Sequence, residues 1–135
     1  MALSRGAAPR YLFVYGTLRR GLANRHARYL SEHAQWIGEA RVRGRLYDLG
    51  RYPGLCLCSD GDEWAPGELY RMPVSSDLLT TLDQYEGADF ERVTALARRA
   101  GERSVRTWVY EYQRPVSEAR RIASWPIRSE APRSG

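Results

Sequence analysis

The 135-residue chain has no lysine at all; its 21 cations are all arginines. A coding bias accounts for that before function does, because no cluster of arginines interleaved with aromatics occurs along the chain. The formal charge of +5 is also badly placed for nucleic acid. Residues 1–10 carry Arg5 and Arg10 and no acid, and residues 113–135 carry five arginines against Glu118 and Glu130. The stretch 11–112 holds 14 arginines and 14 acids and is formally neutral. The excess therefore lies in two Pro/Ser/Arg-rich ends expected to be mobile, and nucleic acid is not the expected partner.

Long apolar runs are missing too. Tyr11 to Tyr15 is the longest near the start, far short of the ~20 residues a bilayer needs. With no membrane span and no apolar leader, a cytoplasmic location is expected. Cysteine is scarce. Cys56 and Cys58, two apart, face the same way on a strand, cannot easily bridge along it and have no second pair to complete a zinc site. They read as reduced thiols in or near the core. Histidine is scarce as well: only His26 and His33, on nearly the same side of one helix. A Ser-His-Asp or Cys-His engine would have to draw its base from that helix, and both read instead as boundary residues. There is no GxxxxGK[ST] and no GxGxxG, so no phosphate-cradling loop. No metal and no cofactor are expected.

What is present fits one domain with one core. Tyr11–Tyr15 reads as a central strand buried on both faces, ended by Gly16-Thr17. Asn24 is placed to cap a helix over Arg25–His33. Strands follow at Trp36–Ala40 and Val42–Tyr47, broken near Arg41, then a turn at Tyr52-Pro53-Gly54 and a strand over Leu55–Cys58. After a turn at Asp60-Gly61-Asp62 comes Trp64–Tyr70, interrupted by Pro66 and Gly67. Ser76–Glu86 is the second helix, and Phe90–Arg98 and Val105–Tyr112 are the last strands, joined at Ala100-Gly101-Glu102. About six to seven short strands with two main helices predict an α+β fold, a small mixed β-barrel or strongly curled sheet. The expected organisation is a flexible segment 1–10, a domain 11–112 and a tail 113–135.

Within the second helix one acid stands out. With Leu78 at the origin and 100° per residue, Leu82, Leu79 and Tyr85 form one apolar arc, and Glu86 falls inside it at about 80°. Asp77, Thr80, Thr81, Asp83 and Gln84 point elsewhere. A carboxylate facing a core is costly to ionise, which suits a proton-transfer group. The alternative is that the last turn frays at Gly87 and Glu86 turns to water. A second feature is the turn Tyr15-Gly16-Thr17-Leu18-Arg19-Arg20-Gly21, where a buried strand breaks at glycine. Such a break can aim consecutive backbone N–H groups at a carboxylate or oxyanion, or simply reverse the chain.

Together VYGTLRRG and LDQYEG resemble the γ-glutamylcyclotransferase family, in its small γ-glutamylamine cyclotransferase-like (AIG2-like) branch. Gly38-Glu39-Ala40, Gly44-Arg45-Leu46-Tyr47-Asp48, Tyr52-Pro53-Gly54, Gly67-Glu68-Leu69-Tyr70 and Trp108-Val109-Tyr110 extend the likeness from about Tyr11 to Tyr112. The resemblance implies a curled barrel with a cavity and release of 5-oxoproline from a γ-glutamyl amine or amino acid. It implies Glu86 as catalytic acid/base, Tyr15, Gly16, Thr17 and Leu18 as the holders of the glutamyl group, and Tyr110 as a cavity wall. Where the family often has Tyr-x-Arg, this chain has Phe90-Glu91-Arg92 and lacks that hydroxyl. The expected partner is a small-molecule γ-glutamyl substrate and the expected state a monomer. Arg19 and Arg20 are read as surface residues over substrate-steering ones. Specificity is expected from Arg51–Gly54 and Asp60–Pro66. A non-catalytic γ-glutamyl or amino-acid binding module on the same fold is the alternative, which the inward Glu86 disfavours.

Overall fold

The computed structural model describes residues 8–16, 18, 24–58, 61–74, 77–116, 120–123 and 125. Thr17, Arg19, Arg20, Gly21, Asp60 and Ser76, named above, lie outside the described residues, as do most of the two ends.

Strand β1 (Tyr11–Val14) is the axis of the fold. Its side chains alternate, so Phe13 enters one apolar cluster while Leu12 and Val14 enter another. Five strands close around the first cluster: β2 (Gln35–Asp48), β4 (Trp64–Arg71), β1, β6 (Val105–Tyr112) and β5 (Phe90–Arg98), with β5 pairing back onto β2. Only the β1–β6 pairing in that ring is parallel. Val42, Leu46, Leu69, Ala97 and Val109 fill the interior with Phe13. Outside, Leu12, Val14, Tyr70 and Met72 are covered by Leu30 of helix α1 (Arg25–His33) and by Leu78 and Leu82 of helix α2 (Leu78–Glu86). Burying each such side chain contributes about 1.5–3 kcal/mol before chain entropy is charged against it.

The structure is the expected α+β mixed barrel, with two helices and seven strands among the described residues. Asn24 caps α1, its side chain accepting from the Ala27 N–H at 2.7 Å. The expected break near Arg41 is absent. β2 runs unbroken for 14 residues, and Arg41 is an outward position with Pro66 on one side and Arg98 on the other. The irregularity falls instead between Trp36 and Gly38, as a bulge. Pro66 and Gly67 do not interrupt β4: Pro66 is exposed, and Gly67 lets β1 approach so closely that a Cβ would overlap the Val14 carbonyl oxygen. Pro53 and Gly54, expected as a turn, open β3 (Pro53–Leu57), which pairs with the far end of β2.

One strand has no counterpart in the sequence reading. β7 (Arg120–Ile122) lies antiparallel to residues 46–48 of β2. No helix among the described residues is long and apolar enough to cross a membrane.

Candidate active site

A cavity opens where β1 ends, and α2 rests beside it. Leu78 and Leu82 are buried, with Leu79 and Tyr85 half-buried, so the apolar arc read from the sequence is the face that docks. The helix is intact through Glu86, and Gly87 closes it at φ 81°, its N–H reaching the Asp83 carbonyl at 3.2 Å. Glu86 is therefore carried to the barrel rather than shed into water.

A cavity of about 190 Å³ lies there. Tyr15, Gly16 and Leu18 from the turn after β1 form one wall, and Tyr85 and Glu86 from α2 face them. Phe90 and Tyr110 come from β5 and β6, and Tyr52 and Pro53 close the remaining side. Five of the six residues singled out in the sequence thus meet at one cavity, and Thr17 lies outside the described residues. Of the two segments expected to shape its mouth, Arg51–Gly54 contributes Tyr52 and Pro53. Asp60–Pro66 contributes none among its described residues; Trp64 there stacks under Arg41 and Arg43.

Glu86 is the charged group among the described residues of this lining, set among aromatic rings and backbone. Burial, and then the nearby Asp83 charge, push its carboxyl up from the ordinary 4.5 to about 7. The Tyr15 hydroxyl donates to the Tyr110 carbonyl oxygen at 2.6 Å and accepts the Leu55 N–H at 3.2 Å. Tyr15 therefore ties β1, β3 and β6 together beneath the cavity, and burial raises its hydroxyl well above its usual value. Gly16 lies so close to Pro53 that a Cβ would sit 2.7 Å from the ring Cγ. Phe90 packs on Tyr112 at 5.3 Å and Tyr52 at 5.9 Å between ring centroids, supplying an apolar wall where a tyrosine would bring a hydroxyl.

The sequence reading missed two residues beside the cavity. Asp83, off the apolar arc as expected, accepts the Tyr110 hydroxyl at 2.7 Å, and Arg92 grips it with two nitrogens. Asp83 had a local signal, three residues before Glu86 on one helix; Arg92 had none, because the β5–β6 register sets it opposite Tyr110. The histidines lie at the margin. His26 stacks on Tyr85 at 3.9 Å and His33 on Tyr29 at 4.2 Å, and no group of three or more metal-ligating side chains occurs among the described residues. Cys56 and Cys58 are half-buried free thiols.

A family model described as gamma-glutamyl cyclotransferase, AIG2-like, matches residues 12–127. The gamma-glutamylcyclotransferase family protein YtfP of Escherichia coli is 32% identical over 122 residues, covering 84% of this chain and 91% of the relative. A Niallia circulans protein named gamma-L-glutamyl-butirosin B gamma-glutamyl cyclotransferase is 33% identical over 123 residues, covering 84% of this chain and 74% of that one. The solution structure of Escherichia coli ytfP superposes with a TM-score of 0.61 at 31% identity, over 89% of this chain and 99% of that one. Carrying both family signatures on the family's barrel, the chain belongs to the AIG2-like γ-glutamylcyclotransferase family.

Proposed function

We propose that the protein cyclises the γ-glutamyl group of a γ-glutamyl amine or amino acid, releasing 5-oxoproline and a free amine, with Glu86 as general acid/base. The observation that carries this reading is the Glu86 carboxyl set in a small, aromatic-walled cavity, where burial pushes it up towards neutrality.

The reaction needs little more. The substrate's α-amine attacks its own side-chain amide carbon, so one C–N bond closes the five-membered ring and the bond to the departing amine breaks. Ionised Glu86 takes one proton from the α-ammonium and, now protonated, delivers it to the leaving nitrogen. Ionised again, it takes the second proton that the ring nitrogen sheds on becoming the lactam N–H and passes it to the departing amine, which leaves as its ammonium ion. A base with a pKa near the working pH serves both halves. Holding a flexible glutamyl chain curled is an entropic contribution worth up to about 7–11 kcal/mol in the best intramolecular cases. A cavity of about 190 Å³ is suited to a glutamyl group. Backbone N–H groups of the 16–18 turn are the candidates for binding the substrate carboxylate or the developing oxyanion.

The test is 5-oxoproline release from a panel of γ-glutamyl amino acids and γ-glutamyl amines, by wild type and Glu86→Gln. Glutamine keeps the shape but takes no proton, so turnover is expected to fall by about 10²–10⁴-fold. A variant retaining more than about a tenth of the rate would remove Glu86 from the role, given that range. Silence of the wild type across the panel, with γ-glutamyl compounds still bound, would favour a binding module on this fold.

A further inference from the structure

Two groups beside the cavity have no task in that chemistry. Arg92 holds Asp83 by two prongs, Nε to Oδ1 at 2.8 Å and Nη2 to Oδ2 at 3.1 Å. Its guanidinium also lies over the Trp108 ring, 4.4 Å from the centroid, so the clamp is itself braced. The Tyr110 hydroxyl donates to the same Oδ1. Asp83 and Glu86, three residues apart on α2, leave neighbouring positions of one helix, about 5–6 Å apart at Cβ. Two acids so spaced repel each other and weaken a helix, which the docking of α2 alone does not require.

We propose that Asp83 is a positioning residue for Glu86: clamped by Arg92, it holds Tyr110 as the cavity wall and keeps a fixed negative charge one helical turn from the Glu86 carboxyl. The catalytic meaning of this arrangement rests on the cyclotransferase reading, whereas its electrostatics does not.

Burial alone would raise the Asp83 carboxyl, but the Arg92 and Tyr110 hydrogen bonds outweigh it and hold it below the usual value. Asp83 is thus ionised throughout the range in which Glu86 titrates, and its charge adds to burial in opposing that ionisation. The other groups packed around the carboxyl come from every neighbouring element. Tyr15, just after β1, and Tyr110 on β6 are both raised, chiefly by burial, and stay neutral. Arg92 on β5 is a permanent cation, placed beyond Asp83. His26 on α1 stacks on Tyr85, and burial, then Arg25, lowers it. Asp83 thus opposes the ionisation of Glu86, and Arg92, paired to Asp83, acts on Glu86 by compensating that charge.

The experiment follows the Glu86 side-chain carboxyl by ¹³C NMR titration in wild type, Asp83→Asn and Arg92→Met, beside pH profiles of kcat/KM for 5-oxoproline release. Asparagine keeps the shape and the acceptor for Tyr110 but loses the charge, so the Glu86 titration is expected to move to lower pH by about half a unit or more. Methionine keeps a long stem over Trp108 but removes the cation, leaving Asp83 uncompensated, so the titration is expected to move to higher pH. The acid limb of kcat/KM should shift in the same two directions. A merely structural Asp83 would lower stability and rate in both variants with the titration unmoved, and that result overturns the proposal. Should Asp83→Asn fail to fold, Arg92→Met decides alone, an unmoved or falling titration being the adverse result. Opposite shifts in a protein that releases no 5-oxoproline would leave the positioning standing and sink the cyclotransferase reading. Turnover with unmoved titrations would do the reverse.

Discussion

At the scale of single residues, Glu86 sets folding against chemistry. Its carboxyl holds a proton more tightly in the folded chain than in the unfolded one, since burial and Asp83 raise it from 4.5 to about 7. The sign follows from linkage: this contribution to stability is complete below pH 4.5, drains away as the pH rises to about 7, and is absent above it. Above that point the fold carries a poorly solvated carboxylate. Glu86→Gln, which resembles the protonated acid at every pH, is therefore expected to be more stable than wild type at pH 8, by about 1–3 kcal/mol. Near pH 4.5 the two should coincide. Urea denaturation at both pH values checks this. A wild type that is the more stable at pH 8 would mean that the carboxylate has a favourable partner and is not poised as a base.

Among the elements, the turn after β1 has the narrowest tolerance. Gly16 is squeezed against the Pro53 ring, so the methyl of Gly16→Ala must displace either the turn or the start of β3, both of which line the cavity. Displacements of about an ångström at a reacting centre can cost 10²-fold, so a loss of about 10- to 100-fold in kcat/KM is expected with the fold retained. Unchanged kinetics would show that the Gly16–Pro53 contact does not shape the site. This turn and α2 were legible in the sequence because each is a local pattern. YLFVY buries both faces, and Leu78, Leu79, Leu82 and Tyr85 mark the docked side of the helix. What was not legible depends on pairing. Arg41 looks like a break until Pro66 and Arg98 are seen on either side of it, and Pro66 looks like an interruption until its outward position is known. Asp83 was correctly set off the apolar arc, but its partners Arg92 and Tyr110 are brought to it by a strand register that no local periodicity encodes.

For the molecule as a whole, the same limit explains β7 and changes the meaning of the basic C-terminal region. Three residues in an Arg/Pro/Ser-rich stretch carry no strand signal; Arg120–Ile122 is a strand only because β2 extends past the barrel and offers residues 46–48 as a ladder. Its two arginines are spent within the fold, Arg120 on Asp48 at 3.1 Å and Arg121 on Glu63, while Arg45 reaches the same Glu63 at 2.7 Å. Such exposed pairs contribute about 0–1 kcal/mol each, so the larger share of what β7 gives should come from Ile122, which packs against the barrel cluster, and from the ladder itself. Ending the chain after Gln113 is therefore expected to lower Tm by about 3–8 °C. The rate of 5-oxoproline release below that temperature should survive, because the described residues lining the cavity all lie between Phe13 and Tyr110. Affinity for single- or double-stranded nucleic acid, measured alongside, separates this view from a nucleic-acid-binding tail. A truncation that leaves Tm unchanged but abolishes tight nucleic-acid binding would show that the terminal arginines serve a partner and not the fold.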